Sequence, residues 1–283
     1  MHAPIGRETI GIIAGNGRLP TDLAERIAAG GRRPFIVGIR GEADPAVGRF
    51  EHRLLDWGRL GTVFKLFRNE GARRLLFVGG VTRRPELTLR HLDWTTVQAL
   101  PSLVAMLASG DDTILSGVVA MFEREGFELL AVPTMAPELM LASGDTYGPR
   151  VGRRELKQID LGADVVRTLG RFDVGQGAVV CGMRVVAVEG VEGTDTMLRR
   201  VSDLRDAGRL SDRRDGVLVK VAKPRQDLRV DLPTIGPRTI MNAAAAGLTA
   251  VACEAGTTIV LDAGHVASLA NDHRIAVHGL GRP

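Results

Sequence analysis

Between Val221 and Thr239 the chain reads VAKPRQDLRVDLPTIGPRT, which sets Arg225, Asp227, Arg229 and Asp231 at every second position, with Gln226, Leu228, Val230 and Leu232 between them. In an extended chain alternate side chains point to opposite faces, so this segment would present two guanidiniums and two carboxylates on one side. Such a face can hold a divalent ion, orient water or balance the charge of an anionic substrate. An edge strand with a solvated, self-neutralising face fits the pattern equally well. At about 3.3 Å per residue Asp227 and Asp231 would stand ~13 Å apart, too far to share one ion. A metal at Asp227 therefore has to recruit a ligand from another segment.

Further acids and bases lie nearby in the second half: Glu189, Glu192 and Asp195 in AVEGVEGTD, and Lys220 and Lys223 just ahead of the alternating run. Magnesium needs oxygen ligands and typically takes one or two carboxylates beside phosphate oxygens and waters. Glu192 and Asp195 also fit plain helix-start chemistry, with Thr194 as N-cap and Asp195 as a favourable acid in the first turn. In the first half, IIAGNGRLP brackets Asn16 between Gly15 and Gly17 at a strand-to-helix turn. Glycines there let backbone N–H groups approach a phosphate, and the helix adds its positive end. Pro20 stands where a dinucleotide fingerprint has its third glycine, so the motif by itself is a turn or an anion site. In GGVTRRP, Gly79 and Gly80 close a strand and put Arg83 or Arg84 within reach of a phosphate, whereas Asp111 and Asp112 of SGDDTIL read as helix caps.

These groups need elements to position them. Apolar runs of strand length at Thr9–Ala14, Pro34–Ile39, Arg74–Val78 and Phe127–Val132 alternate with helix-period segments at Leu19–Ala29, Arg59–Asn69, Leu100–Ala108 and Asp112–Glu125. Strands joined through helices predict a parallel, Rossmann-like sheet over residues 1–133, with ligands beyond its strands' carboxyl ends. Residues 134–152, rich in proline and glycine, read as a connector, and residues 153–283 as a mixed α/β domain holding the alternating segment. Within it we expect a helix over Arg153–Leu169, a hairpin turning at Gly182, a helix after Thr194, a strand over Gly216–Val221, a helix over Pro237–Ala246, and strands over Thr249–Cys253, Thr257–Leu261 and Arg274–Val277.

With 283 residues and 45% apolar content the chain is globular and long enough for two domains. The net charge of +4 raises nucleic acid as a partner, but aromatics are only 4% and Lys and Arg are dispersed, which leaves no stacking platform. Phosphate-bearing small molecules or an anionic membrane surface suit scattered basic residues better. Cys181 and Cys253 sit in no metal-like or redox-like spacing, and no secretory signal or long apolar run is visible. A cytoplasmic protein is the expectation.

Taken together and in order, IGIIAGNGRLP, FVGGVTRRP, SGDDTIL, DVGQGAVV, AVEGVEGTDTMLRR and KPRQDLRVDLPTIGPRT resemble the LpxI family of UDP-2,3-diacylglucosamine pyrophosphatases, from about Ile10 to Gly279. The resemblance implies magnesium-dependent hydrolysis of the pyrophosphate of UDP-2,3-diacylglucosamine to UMP and 2,3-diacylglucosamine 1-phosphate (lipid X) in lipid A biosynthesis. It also implies a homodimer, with peripheral contact at the inner membrane as a further expectation. Its QD-R-D core falls on Gln226, Asp227, Arg229 and Asp231, and its EGTD on Glu192 to Asp195. On this reading Asp227, Lys220 and Arg229 are catalytic. Gly15, Asn16, Gly17, Arg83, Lys223, Gln226 and Thr234 bind substrate, and Asp227, Glu192 and Asp195 are the magnesium ligands. For the acyl chains, Met135, Leu139, Met140 and Leu141 offer a flexible apolar surface, and ordinary packing explains them as well. Two other classes stay open: a nucleotide-dependent oxidoreductase with Glu42 or Asp44 on a ribose, and a nucleotide- or lipid-binding protein without turnover.

Overall fold

The structure, a computed structural model, describes residues 8–81, 92–99, 111–211, 213–224 and 226–281. Arg83, Arg84, Arg225 and the helix expected at Leu100–Ala108 lie outside them. The chain divides into two compact units. One runs to Ala136 and takes in Arg229–Asp231, and the other comprises Pro137–Leu228 and the chain from Leu232 onward.

In the first unit, β1 (Thr9–Ala14), β2 (Arg33–Ile39), β3 (His52–Leu55), β4 (Arg74–Val78) and β5 (Glu128–Leu129) form one sheet in the order β3-β2-β1-β4-β5. All neighbouring pairs are parallel, the doubly wound arrangement expected from sequence. The helices α1 (Leu19–Ala29), α2 (Leu60–Asn69) and α3 (Asp111–Arg124) connect and cover it. A phenylalanine cluster packs one side, with Phe64 and Phe77 each meeting Phe122 edge to face at 4.8 and 4.9 Å. Strand β3 is absent from the sequence reading because it is short and its side chains are half-buried or exposed, so no apolar run marks it. The expected strand over Phe127–Val132 pairs only at Glu128–Leu129. From Val132 the chain enters a short helix, α4 (Val132–Met135), where Pro133 in the first turn suits a helix start and cannot donate to a ladder.

In the second unit the strands are β6 (Gly144–Tyr147), β7 (Gly177–Cys181), β8 (Arg184–Val188), β9 (Val217–Lys220), β11 (Ala250–Glu254) and β13 (Ala276–Leu280). Their order is β6-β13-β11-β9-β7-β8, with β9, β11 and β13 parallel and β6, β7 and β8 antiparallel to their neighbours. Two short strands, β10 (Thr234–Ile235) and β12 (Ile259–Val260), pair separately. Alternation of side chains sorts the sheet's two faces. Ala178, Val180, Val217, Val219, Ala250 and Ala252 pack under α5 (Arg153–Gly170). On the opposite face Val179, Leu218, Val251 and Cys253 pack against α6 (Gly193–Asp206), α7 (Pro237–Ala245) and α8 (Ala263–Asp272). Helix α5 approaches so closely that a Cβ at Gly162 would stand 2.6 Å from Val219 Cγ2. The β7–β8 hairpin turns through Gly182 and Met183 at φ of 56° and 64°, the primed geometry whose twist suits a two-residue hairpin.

The alternating segment is not a strand. Pro224 lacks an N–H, and the Gln226 side chain takes over the pairing instead: its Oε1 accepts from Lys223 N–H at 2.8 Å, while Gln226 N–H donates to Lys223 O at 3.1 Å. Leu228–Val230 then form a second turn. The expected division of charged and apolar residues between two strand faces, and the ~13 Å spacing drawn from it, therefore do not apply.

Candidate functional site

The glycine turn of the first unit lies between β1 and β4, the point where strand order reverses and a doubly wound sheet opens its crevice. Here the turn pairs with the end of the β4 segment. Gly15 N–H donates to Val78 O at 2.9 Å, Asn16 N–H to Gly80 O at 2.7 Å, and Gly80 N–H back to Asn16 O at 3.1 Å. Two of the amides expected to cradle a phosphate are thus spent on the fold. A Cβ at Gly15 would stand 2.3 Å from Gly80 O, so this position is glycine for steric reasons, while Gly17 is glycine for its φ of 93° with nothing within 4 Å of a Cβ. We expect Gly15→Ala to cost ~1–3 kcal/mol by forcing the two loops apart, and Gly17→Ala only ~1 kcal/mol of backbone strain. Urea melts of both variants test the order, and equal stability would refute the steric account. Asp44, nominated for a ribose, instead caps its own turn by accepting from Ala46 N–H at 2.8 Å.

In the second unit Lys220 and Glu189, both singled out from sequence, lie at the carboxyl edge of the sheet, as does Glu254. Lys220 ends β9, Glu254 ends β11 and Glu189 follows β8, and all three are buried. Gly177 lies between Lys220 and Glu189: it is Lys220's partner on β9, and it accepts from Glu189 N–H at 2.8 Å. A Cβ at Gly177 would come within 2.4 Å of Glu189 Oε2, and one at Gly175 within 2.1 Å of Glu189 O. The glycines of DVGQGAVV are there because Glu189 lies on them. Lys220 Nζ donates to Thr194 Oγ1 at 2.7 Å, and Thr194 Oγ1 donates to Glu189 Oε1 at 2.7 Å. Lys223 forms an ion pair with Asp173, and the amide of Gln226 reaches Gln176 Oε1 at 3.5 Å. Arg167, Val221, Ala222, Lys223, Pro224, Gln226, Leu228 and Glu254 line an open cleft of about 210 Å³ at this edge. Pockets for whole organic ligands run to ~300–1,000 Å³, so the cleft suits one polar group of a larger molecule.

Other expected residues have partners elsewhere. Arg229 belongs to the first unit, where Nη1 donates to Glu123 Oε1 at 2.6 Å. Thr234 Oγ1 donates to Leu232 O at 3.1 Å. Asp195 accepts from Asn242 Nδ2 at 2.9 Å and pairs with Arg238 Nη2 at 2.7 Å. Arg200 Nη1 stands 3.1 Å from Glu192 Oε1, close enough for an ion pair but misaligned for a hydrogen bond. Asp227 directly follows the Lys223–Gln226 turn, in the second unit. The expected grouping of Asp227, Glu192 and Asp195 on one magnesium ion is not formed: among the described residues no three His, Cys, Asp or Glu side chains gather as a ligand set.

Neither cysteine offers a nucleophile, because burial pushes the Cys253 thiol up to about 12 and raises that of Cys181. Sequence reasoning passed over Arg167, Asp173, Gln176 and Glu254. Asp173 and Gln176 lie in the DVGQGAVV motif, and Glu254 is a lone acid closing the apolar run VACE, whereas nothing in the sequence marks Arg167. Thr194 was read as an N-cap, yet α6 begins at Gly193 without a side-chain cap and the hydroxyl serves Lys220 and Glu189.

Two family models match this chain, the LpxI N-terminal domain over residues 9–139 and the LpxI C-terminal domain over residues 142–278. A UDP-2,3-diacylglucosamine pyrophosphatase LpxI of Caulobacter vibrioides is 42% identical over 272 residues, spanning 96% of this chain and 97% of that protein.

Proposed function

Because the chain belongs to the LpxI family, we propose that it hydrolyses the pyrophosphate bond of UDP-2,3-diacylglucosamine, giving UMP and 2,3-diacylglucosamine 1-phosphate in lipid A biosynthesis. The observation behind this reading is the end-to-end likeness to the Caulobacter pyrophosphatase. The buried lysine at the end of β9, and the cleft that Arg167, Lys223 and Gln226 line at the same edge, suit the chemistry. Phosphoryl transfer asks a protein mainly for positioning and for charge stabilisation. Lys220 and Lys223 offset the charge of the pyrophosphate, and Asp227 orients the attacking water and takes its proton. One P–O bond forms to water, the bridging P–O bond breaks, and UMP departs. The oxidoreductase reading loses support, since the Gly15 and Asn16 amides are bonded to Val78 and Gly80 and Asp44 is spent on a cap.

Incubating the purified protein with UDP-2,3-diacylglucosamine and magnesium should release UMP. Tight binding without release would favour a non-catalytic binding protein. We propose that the magnesium requirement is met by an ion accompanying the pyrophosphate, which needs at most one or two protein carboxylates. It follows that Asp195→Asn, at a carboxylate already taken by Arg238 and Asn242, should leave the magnesium concentration for half-maximal rate unchanged and cost about 0–1 kcal/mol of stability. A marked rise in that concentration would make Asp195 a metal ligand after all. Among the described residues no helix is long and apolar enough to cross a membrane. Acyl chains must nonetheless be collected from a bilayer, so peripheral contact and a homodimer complete the proposal, with vesicle flotation and light scattering as their tests.

A further inference from the structure

Glu189, just after β8, and Lys220, at the end of β9, are separated by β7, and their side chains meet at the hydroxyl of Thr194 on α6. Lys220 is 5% exposed and Glu189 6%. An ammonium can only donate, an ionised carboxylate can only accept, and a hydroxyl has one proton to give. The Thr194 proton must therefore point to Glu189 and a lone pair to Lys220. This direction is forced by the order of the three groups. The β-branched side chain of Thr194 has a restricted χ1, whereas the four-carbon stem of Lys220 is flexible. The hydroxyl thus takes one of the three Lys220 donors and leaves two for other partners. Among the described residues Glu189 Oε2 is buried without a hydrogen-bond partner, so Thr194 is the group through which the carboxylate acts on the ammonium.

We propose that Thr194 is a positioning residue for Lys220, that Glu189 fixes the polarity of the bond between them, and that Gly177 is glycine so the two side chains can cross β7. The proposal rests on the assignment of Lys220 to the pyrophosphate. It accounts for three sequence motifs at once, since DVGQG, EGVEGTD and the strand ending in Lys220 each supply one part of the same contact.

The test is a double-mutant cycle on UMP release from UDP-2,3-diacylglucosamine, with folding checked by circular dichroism. Thr194→Val keeps the shape and removes the hydroxyl. It should lower kcat roughly 10-fold to 100-fold, the range of coupling between contacting groups, with KM changed little. Thr194→Ser should restore most of the rate. In a Lys220→Met background Thr194→Val should cost nothing further, because the residue it positions is gone. Wild-type kcat in Thr194→Val, a serine variant no better than valine, or losses that multiply in the double variant would each overturn the proposal. Where Lys220→Met does not fold, the contrast of valine with serine decides. If the wild-type protein itself releases no UMP, the functional reading falls and the positioning proposal falls with it. Failure of positioning alone leaves wild-type turnover intact.

Discussion

Asp227→Ala is expected to lower kcat by on the order of 10²-fold to 10⁴-fold, the range of a positioned proton-transfer group, while substrate binding survives. The carboxylate directly follows a turn closed twice over, by Gln226 N–H to Lys223 O and by Lys223 N–H to Gln226 Oε1, so its backbone is held whether or not the side chain is present. Affinity should stay level or improve, since a negative charge near a pyrophosphate is deleted. Asp227→Asn should lose as much, because an amide cannot accept water's proton. Asp231→Ala, at the neighbouring acid of the same segment, is the control, and most of the turnover should remain. Single-turnover rates and direct binding on the same preparations decide the matter. Near wild-type turnover of Asp227→Ala, or binding lost in step with activity, removes Asp227 from the mechanism.

The parts of the fold that were legible in the sequence are those whose signal is local and apolar. Strands β1 and β4 and helix α1 fall at the bounds read from hydrophobic period, because they are buried and framed by glycine and proline. The hairpin at Gly182 was legible for a similar reason, its turn chemistry being written in two residues. Strands β3 and β6 were not: each is four residues long with half-buried or exposed side chains, and pairing partners rather than composition make them strands. The segment from Val221 to Thr239 misled because alternation is only evidence of a strand where the backbone is free to pair. Pro224 and the side chain of Gln226 remove that freedom. For the candidate site, Lys220, Lys223 and Gln226 were found from their motif and do share the sheet edge, whereas Arg167 and Glu254 come to the cleft from a helix and a strand distant in sequence. The Glu189–Thr194–Lys220 contact could not be read, since it depends on β7 lying between β8 and β9.

Lys220→Met separates what the buried lysine does for the fold from what it does for the reaction. Removing the ammonium should lower kcat by on the order of 10²-fold to 10³-fold, as when one donor aimed at developing charge is lost. It also leaves Glu189, a buried carboxylate bonded to Thr194, without the ammonium that Thr194 links to it, and an uncompensated buried charge costs on the order of 3 kcal/mol. Adding Glu189→Gln removes the stranded charge, so the double variant should regain most of its stability in urea. Its activity should stay low, because the donor facing the pyrophosphate is still missing. A lysine present only for packing gives the opposite pattern, in which UMP release returns together with stability. Recovery of both in the double variant would therefore confine Lys220 to the fold and leave Lys223 and Arg167, which line the cleft, as cations for the pyrophosphate to meet.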